Sequence, residues 1–351
     1  MQYIDLRRIG FVSFIAVILL LAYSIEADAG GEDRAGTSAA PELVIPIGAR
    51  YVAMGGSAIA LSSGVESIFW NPAGVDRTTR GANAMFSYRS YIADIAVDYL
   101  AASGKFDFGT VALSLRSLNI GDIPVTTETA PDGTGEIFSP TYFVMGLTYS
   151  RQVTDRIAVG ATVNIISESF AQVSSSGVSF DAGVQYHGAI GIPNFDIGVA
   201  LKNIGPAMQY GGPGLWVQAV AQGASRGVTY YKVEAASFEL PTVVELGAAY
   251  QLFAQDQSAL NVCATFQNNN YAYDEYRVGA EYAFDQKFFL RAGYLVGASS
   301  NDNSPDIFQK FSLGAGVSFT DVGGTDISID YAFVPVEYFS NNNVISLKVG
   351  F

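Results

Sequence analysis

Asn343-Val344-Ile345-Ser346-Leu347-Lys348-Val349-Gly350-Phe351 alternates strictly and stops on an aromatic residue. Ile345, Leu347, Val349 and Phe351 share one parity; Val344, Ser346, Lys348 and Gly350 share the other. Successive side chains of a strand point to opposite faces, so this segment has one apolar face and one mostly polar or small face. Two architectures end this way. One is a soluble sandwich with a last antiparallel strand; the other is a membrane barrel closed by its last strand.

The opposite end bears on that choice. Arg7 and Arg8 precede an apolar run from Ile9 to Tyr23, then polar Ser24 to Asp28 with small residues at Ala27 and Ala29. A basic segment, an apolar segment short for a bilayer core and an A-x-A site describe a secretory signal peptide rather than a retained anchor. Cleavage is expected after Ala29, and no cysteine follows for lipidation. Beyond it no run of about 18 apolar residues offers a transmembrane helix. Yet hydrophobic residues make up 49% of the chain, charged residues only 15%, and mean hydropathy is +0.24. A closed barrel, apolar outside and with every backbone group paired, reconciles export with this composition.

The formal charge of −14 argues against nucleic-acid binding, which needs clustered Lys and Arg. It suits a chain that stays soluble while crossing the periplasm. Cys263 is alone, so no disulfide or cysteine cluster is expected. His187, the single histidine, lacks neighbours for a zinc site or a histidine-based triad and reads as a lumenal or turn-proximal side chain. No G-x-S-x-G, H-E-x-x-H or phosphate-binding glycine loop is present, and Gly211 to Gly214 reads as turn punctuation. Acidic Asp302 to Asp306 is a generic calcium-type stretch. Neither catalysis nor a cofactor or metal is expected.

From about Ala82 onward the period is two. Ile327, Ile329, Tyr331 and Phe333 alternate with Asp326, Ser328, Asp330 and Ala332; Val178, Phe180, Ala182, Val184 and Tyr186 alternate with Ser179, Asp181, Gly183, Gln185 and His187. Fourteen such segments are expected, at 82–91, 94–103, 107–118, 140–151, 156–168, 176–187, 194–203, 240–252, 258–268, 273–284, 287–297, 308–319, 325–334 and 343–351. The number is even, as single-chain bacterial barrels require. Links after even-numbered segments are short, and most after odd-numbered ones are longer, notably 119–139, 204–239, 298–307 and 335–342. Short periplasmic turns alternating with longer outer loops is the outer-membrane pattern, and it places both termini in the periplasm. Tyr186, Phe253, Phe284, Phe319 and Phe333 suit interfacial girdles. Arg116, Asp181, Lys202, Glu245, Arg277, Glu281, Arg291, Lys310, Asp330 and Lys348 lie on the opposite face, read as a lumen held by charge pairs.

Residues 43–80 break the alternation. Gly48 to Ala60 is rich in small residues, and Val65 to Val75 contains Asn71-Pro72, a turn initiator. Gly55 and Gly56 allow close backbone approach. About 14 strands enclose more space than wall side chains fill, which favours a plug over a free arm. The expected organisation is therefore a signal peptide over 1–29, an arm and lumenal hatch over 30–81, and an all-β transmembrane barrel over 82–351.

Gly48-Ala49-Arg50, Met54-Gly55-Gly56 and Trp70-Asn71-Pro72-Ala73-Gly74 strongly resemble the PorV/PorQ family, within the wider group of barrels like the fatty-acid transporter FadL. Leu201 to Gly205, Leu240-Pro241, Leu290 to Tyr294 and Asp330 to Phe333 continue the resemblance over nearly all of 43–351. Ser62-Ser63-Gly64 departs from it, where relatives often carry acidic residues. The resemblance implies an outer-membrane barrel of about 14 strands with a lumenal hatch, assembled by machinery that reads a terminal aromatic, here Phe351. It also implies a role in export or surface attachment of the type IX kind, with exported cargo or secretion components docking on loops 119–139 and 204–239. Tyr210, Trp216, Tyr230 and Tyr231 are the candidate contacts there. The alternative is a FadL-like conduit for a hydrophobic, lipid-like molecule; a purely structural barrel in outer-membrane lipid is the third reading.

Overall fold

The computed structural model describes residues 34–220, 227–255, 257–297 and 310–351. The expected signal peptide, its cleavage site and the acidic stretch Asp302 to Asp306 lie outside these residues. Fourteen strands form one closed antiparallel barrel. They are β1 (Ala82–Ser90), β2 (Ala96–Phe106), β3 (Gly109–Asn119), β4 (Thr141–Gln152), β5 (Ile157–Phe170), β6 (Val173–Tyr186) and β7 (Phe195–Ile204). The second half comprises β8 (Val243–Gln255), β9 (Ser258–Asn269), β10 (Glu275–Phe284), β11 (Phe288–Gly297), β12 (Phe311–Val322), β13 (Thr325–Val334) and β14 (Asn342–Gly350).

The closing seam joins β14 to β1 in register from Asn83↔Gly350 to Arg89↔Val344. The Phe351 amide donates to the Ala82 carbonyl at 2.8 Å, so the last residue completes the ladder while its ring stays exposed. No open edge is left in the barrel sheet.

Side-chain parity runs as alternation demands. Phe86, Leu100, Leu113, Leu147, Ile165, Leu290, Leu313 and Leu347 are exposed on the outer wall, whereas Ser87, Thr148, Ser179, Thr265, Glu281 and Ser346 are buried inside. This is an inside-out distribution, suited to lipid on the outer face. Among the described residues no helix is long and apolar enough to cross a membrane. Exposed Phe106, Phe253, Phe284, Phe288 and Phe319 ring the short-turn end. Tyr186 instead is half-buried against Ala189 and Phe195 under its turn.

Two links differ from the sequence expectation. β2 runs on to Phe106 and turns at Asp107-Phe108, because Phe106 and Phe108 stack at 5.2 Å and the Tyr149 hydroxyl holds the Phe108 carbonyl at 2.6 Å. Serines 174–176 are strand rather than loop: β5 and β6 extend as a hairpin, pairing Glu168↔Ser175, and Ser174 exchanges main-chain bonds with Gly211 of the loop 205–242. A partner strand and a docked loop satisfy backbone groups that the serine run by itself leaves to water.

The described chain begins at the long-loop end. The Arg34 guanidinium bonds Glu239 at 2.8 Å, and the Ala39 amide bonds the Glu239 carbonyl at 2.9 Å. The chain then threads the lumen and leaves beside Arg80, which grips Asp326 at the short-turn end. Arg34 and Phe351 thus lie at opposite ends of the barrel, while residues 1–33, and with them the expected N-terminus, lie outside the described residues. The lumenal path carries the arm from one mouth to the other.

Candidate functional site

The lumenal segment folds as short pieces: α1 (Ala49–Ala53), α2 (Ser67–Trp70) and single 3-10 turns at Pro41–Val44, Gly64–Glu66 and Pro72–Asp76. None is long enough to be stable alone in water. Their order comes from the wall. Tyr51, Val52, Met54 and Trp70 pack with Ala249, Cys263, Ala332 and Val344, while Ile47, Ile68 and Val75 pack with Met85, Val97, Tyr99 and Ala112.

The wall makes room for this plug with glycine. A β-carbon added at Gly183 would stand 2.0 Å from Asn71 Oδ1, at Gly293 2.1 Å from the Gly55 amide, at Gly160 2.3 Å from Pro72, and at Gly279 2.4 Å from the Met54 carbonyl. Gly198, Gly247 and Gly314 meet Ala60, Ile59 and Ala53 in the same way, so seven strands carry a glycine under the hatch. Several are neighbours across the sheet: Gly160↔Gly183, Gly198↔Gly247 and Gly279↔Gly293. Gly160, Gly198, Gly279 and Gly293 meet hatch backbone, and Gly183, Gly247 and Gly314 meet hatch side chains; either approach needs the missing side chain. Lumenal hydroxyls and amides then bond the hatch main chain. Ser312 Oγ donates to Ala53 O at 3.0 Å, Thr265 Oγ1 to Ser57 O at 2.7 Å, Gln185 Nε2 to Ile59 O at 2.8 Å and Ser150 Oγ to Ala73 O at 2.9 Å.

An ion ladder completes the seat. Arg50 of the hatch forks onto Glu281 at 2.7 and 2.8 Å; Arg291 bridges Glu281 and Asp330, each at 2.7 Å; Lys348 bridges Asp330 at 3.1 Å and returns to the hatch at Glu66, 2.8 Å. Charges alternate along it, and both ends of the ladder belong to the hatch. Burial works against the Arg50 charge, but Glu281 outweighs it and holds that guanidinium above its ordinary value. A second pair, Lys202 to Glu245 at 3.1 Å, lies under Phe69, whose ring faces the ammonium at 4.8 Å.

The motif residues fall within this seat. Gly48 lets Glu66 pass, because a β-carbon there would meet Oε1 at 2.3 Å. The Ala49 amide bonds Ser346 Oγ at 2.8 Å. Gly55 and Gly56 both have positive φ, 67° and 73°, which turns the chain back against Trp70. The Trp70 indole donates to Ile47 O at 3.1 Å. Asn71 caps the Pro72–Asp76 turn through Oδ1 to the Ala73 amide at 3.1 Å, and its Nδ2 faces the carbonyls of Ile59 and Val184, both at 3.2 Å. Gly74 sits where a β-carbon would strike Ser62 O at 2.2 Å, so buried Ser62 serves the hatch through its backbone.

Toward the long-loop end the lumen opens into a cavity of about 600 Å³, lined mainly by Val44, Ile45, Pro46, Tyr91, Ile95, Leu118, Phe311 and Val334. Arg89 borders it, 4% exposed. One of its nitrogens donates to Pro46 O at 2.8 Å and its guanidinium lies over the Tyr91 ring, but Nε has no acceptor and no ion pair to a carboxylate is present among the described residues. Of the four loop aromatics, Tyr210 is half-buried and bonds Glu168, whereas Trp216, Tyr230 and Tyr231 are exposed on a two-stranded ribbon, 216–219 paired with 229–232. The structure does not bring these four together as one patch. His187 lies in the turn after β6, with Nδ1 2.9 Å from Asp196 Oδ2. Among the described residues no group of three or more His, Cys, Asp or Glu is arranged to hold a metal.

Sequence reasoning located the hatch motif and most ladder members but missed the glycine seat, Glu66 and Arg89. A signal for the seat existed: Gly183, Gly198, Gly279 and Gly314 all fall on lumen parity. What was lacking was the register that sets them side by side.

A sheet closed on itself, apolar outside and plugged by its own N-terminal segment, defines an outer-membrane β-barrel with a lumenal hatch. The toluene transporter TbuX of Ralstonia pickettii shares this architecture at 14% identity and a TM-score of 0.56, over 87% of this chain and 98% of its own. The P. putida toluene transporter TodX gives the same identity, TM-score and coverage. The monoaromatic hydrocarbon channel CymD matches at 16% identity and a TM-score of 0.53, over 88% and 98%. No curated protein matches the sequence. The family described as type IX secretion system protein PorV matches residues 28–271, and the chain belongs to that family.

Proposed function

We propose that this protein is a non-enzymatic component of type IX-like protein export that binds exported cargo at its long-loop end, which faces outward. One observation carries the reading: the ribbon 216–219/229–232 presents Trp216, Val217, Tyr230 and Tyr231 to solvent above a bore that the hatch fills. Aromatic side chains without a covering element are the usual anchors of a protein interface. The exposed ring of Phe351, at the other end, fits recognition by barrel-assembly machinery. Replacing 216–232 by a short Gly-Ser link should abolish co-purification of cargo from a host with type IX secretion, while the heat-modifiable migration of the barrel persists. Cargo retained by the shortened protein would sink the docking role.

The cavity supports a second reading, capture of a lipid-like molecule from outside. Its lining is largely apolar, and Arg89 offers a buried cation there that lacks a counter-ion among the described residues. An apolar chain with an anionic head matches both features.

A further inference from the structure

Three elements meet beside the mouth: the incoming arm at Glu42, β5 at Glu168, and the loop 205–242 at Tyr210. Both glutamates are 1% exposed. The Tyr210 hydroxyl donates to Glu168 Oε2 at 2.5 Å, while Glu168 Oε1 and both carboxyl oxygens of Glu42 find no donor. The arm, β5 and the loop pack together here, with Leu43 in one cluster with Ile166 and Met208, and the Glu168 charge acts on the Glu42 carboxyl. The facing charges do not compensate them. From β3, Arg116 donates to the main-chain carbonyl of Glu42 rather than to its carboxyl, and Asp181 of β6 draws on the same guanidinium. From β4, Tyr142 lies opposite Glu168 in the ladder. Two neighbouring carboxylates out of water do not both ionise, and the protonated one turns from an acceptor into a donor.

We infer that the buried Glu42 carboxyl keeps its proton beside Glu168, and that this proton fastens the arm and the loop 205–242 to the barrel wall as a pH-sensitive latch. Burial, with the neighbouring Glu168 adding to it, pushes the Glu42 carboxyl up to about 8. Burial also raises the Tyr210 hydroxyl, which therefore remains a donor. A carboxyl whose folded pKa exceeds its unfolded value keeps its proton in the fold after the unfolded chain has lost it. Its contribution to stability is therefore intact at acid pH and declines as pH climbs from the ordinary carboxylate range through about 8. Above that window two charges face each other and the loop comes away, while the paired strands of the barrel hold.

The latch deepens the cargo reading, since its loop is the proposed docking surface, but the test reads the loop and no cargo. Purified full-length protein in detergent is titrated while the carboxylic-acid C=O band is followed by infrared spectroscopy. Tryptic cleavage at exposed Lys232 is followed in parallel. Wild-type protein should lose a protonated-carboxyl band near pH 8, with cleavage rising by up to about tenfold per pH unit on the way to that pH and levelling off beyond it. Glu42→Gln should lack that band and cleave at a rate that follows only the protease. If Glu42→Gln fails to fold, Glu168→Gln and the wild-type band carry the test. A wild-type protein without a protonated carboxyl at neutral pH, or a glutamine variant that still opens on titration, overturns the latch. Neither result touches the cargo reading, which the ribbon replacement decides.

Discussion

Around α1, α2 and the Pro72–Asp76 turn the lumen is filled to backbone contact, its charges are paired in sequence, and its hatch carbonyls have donors from the wall. Toward the long loops the same lumen holds an apolar cavity of about 600 Å³ and, in Arg89, a buried cation without an ionic partner. The seat behaves as the interior of a soluble protein turned inside a membrane wall. The mouth resembles a binding site, with space and an unspent charge. Close packing and open space are thus divided between two levels of one bore.

The largest test of this division strikes the ladder. Glu281→Gln leaves Arg50 and Arg291 facing each other without the carboxylate that both of them grip. Breaking a buried pair by removing one partner costs about 3–5 kcal/mol, because the remaining charge stays out of water. Denaturant unfolding should show that loss, and planar-bilayer conductance should rise as the hatch loosens. Unchanged stability and a closed pore would mean the ladder does not hold the seat.

Next in size is a pair of glycine substitutions. Gly183→Ala forces a methyl to within 2.0 Å of Asn71 Oδ1, in a region with no slack, and should cost about 1–3 kcal/mol as overpacking does. Gly211→Ala, at the mouth, meets nothing within 4 Å and should stay within about 0.5 kcal/mol of wild type. Equal effects at the two sites would erase the distinction between them.

These two levels were not equally legible in the sequence. Alternation places one residue on one face, so the barrel, its strand number and its inward charges could be read from Ile327 to Phe333 and similar runs. The β5–β6 extension escaped because Ser174 to Ser176 has a loop composition and gains strand geometry only from partners on β5 and at Gly211. The hatch announced itself by Met54-Gly55-Gly56 and Trp70-Asn71-Pro72, which break the period. Its seat did not, because a glycine on lumen parity is silent until register puts Gly279 against Gly293. Arg89 was hidden for a related reason. Its alternation marks it as inward, and only the fold shows that no acid comes to meet it.

The smallest effect is expected at Arg89, and its sign is the informative part. Arg89→Met keeps most of the side-chain volume, removes an unpaired buried charge and gives up the bond to Pro46 O at 2.8 Å. Losing that bond costs on the order of 1 kcal/mol, whereas relieving an uncompensated charge returns a comparable amount. Stability should therefore lie within about 1 kcal/mol of wild type, in contrast to Glu281→Gln, although both residues are more than nine-tenths buried. Native mass spectrometry after detergent exchange supplies the second readout: an anion-headed lipid retained by wild type should be lost from Arg89→Met, with the pore still closed. A large destabilisation would show that Arg89 belongs to the seat after all, as a fastening for Pro46. Undiminished lipid retention would separate the cavity from its charge and leave the apolar lining alone to select what enters.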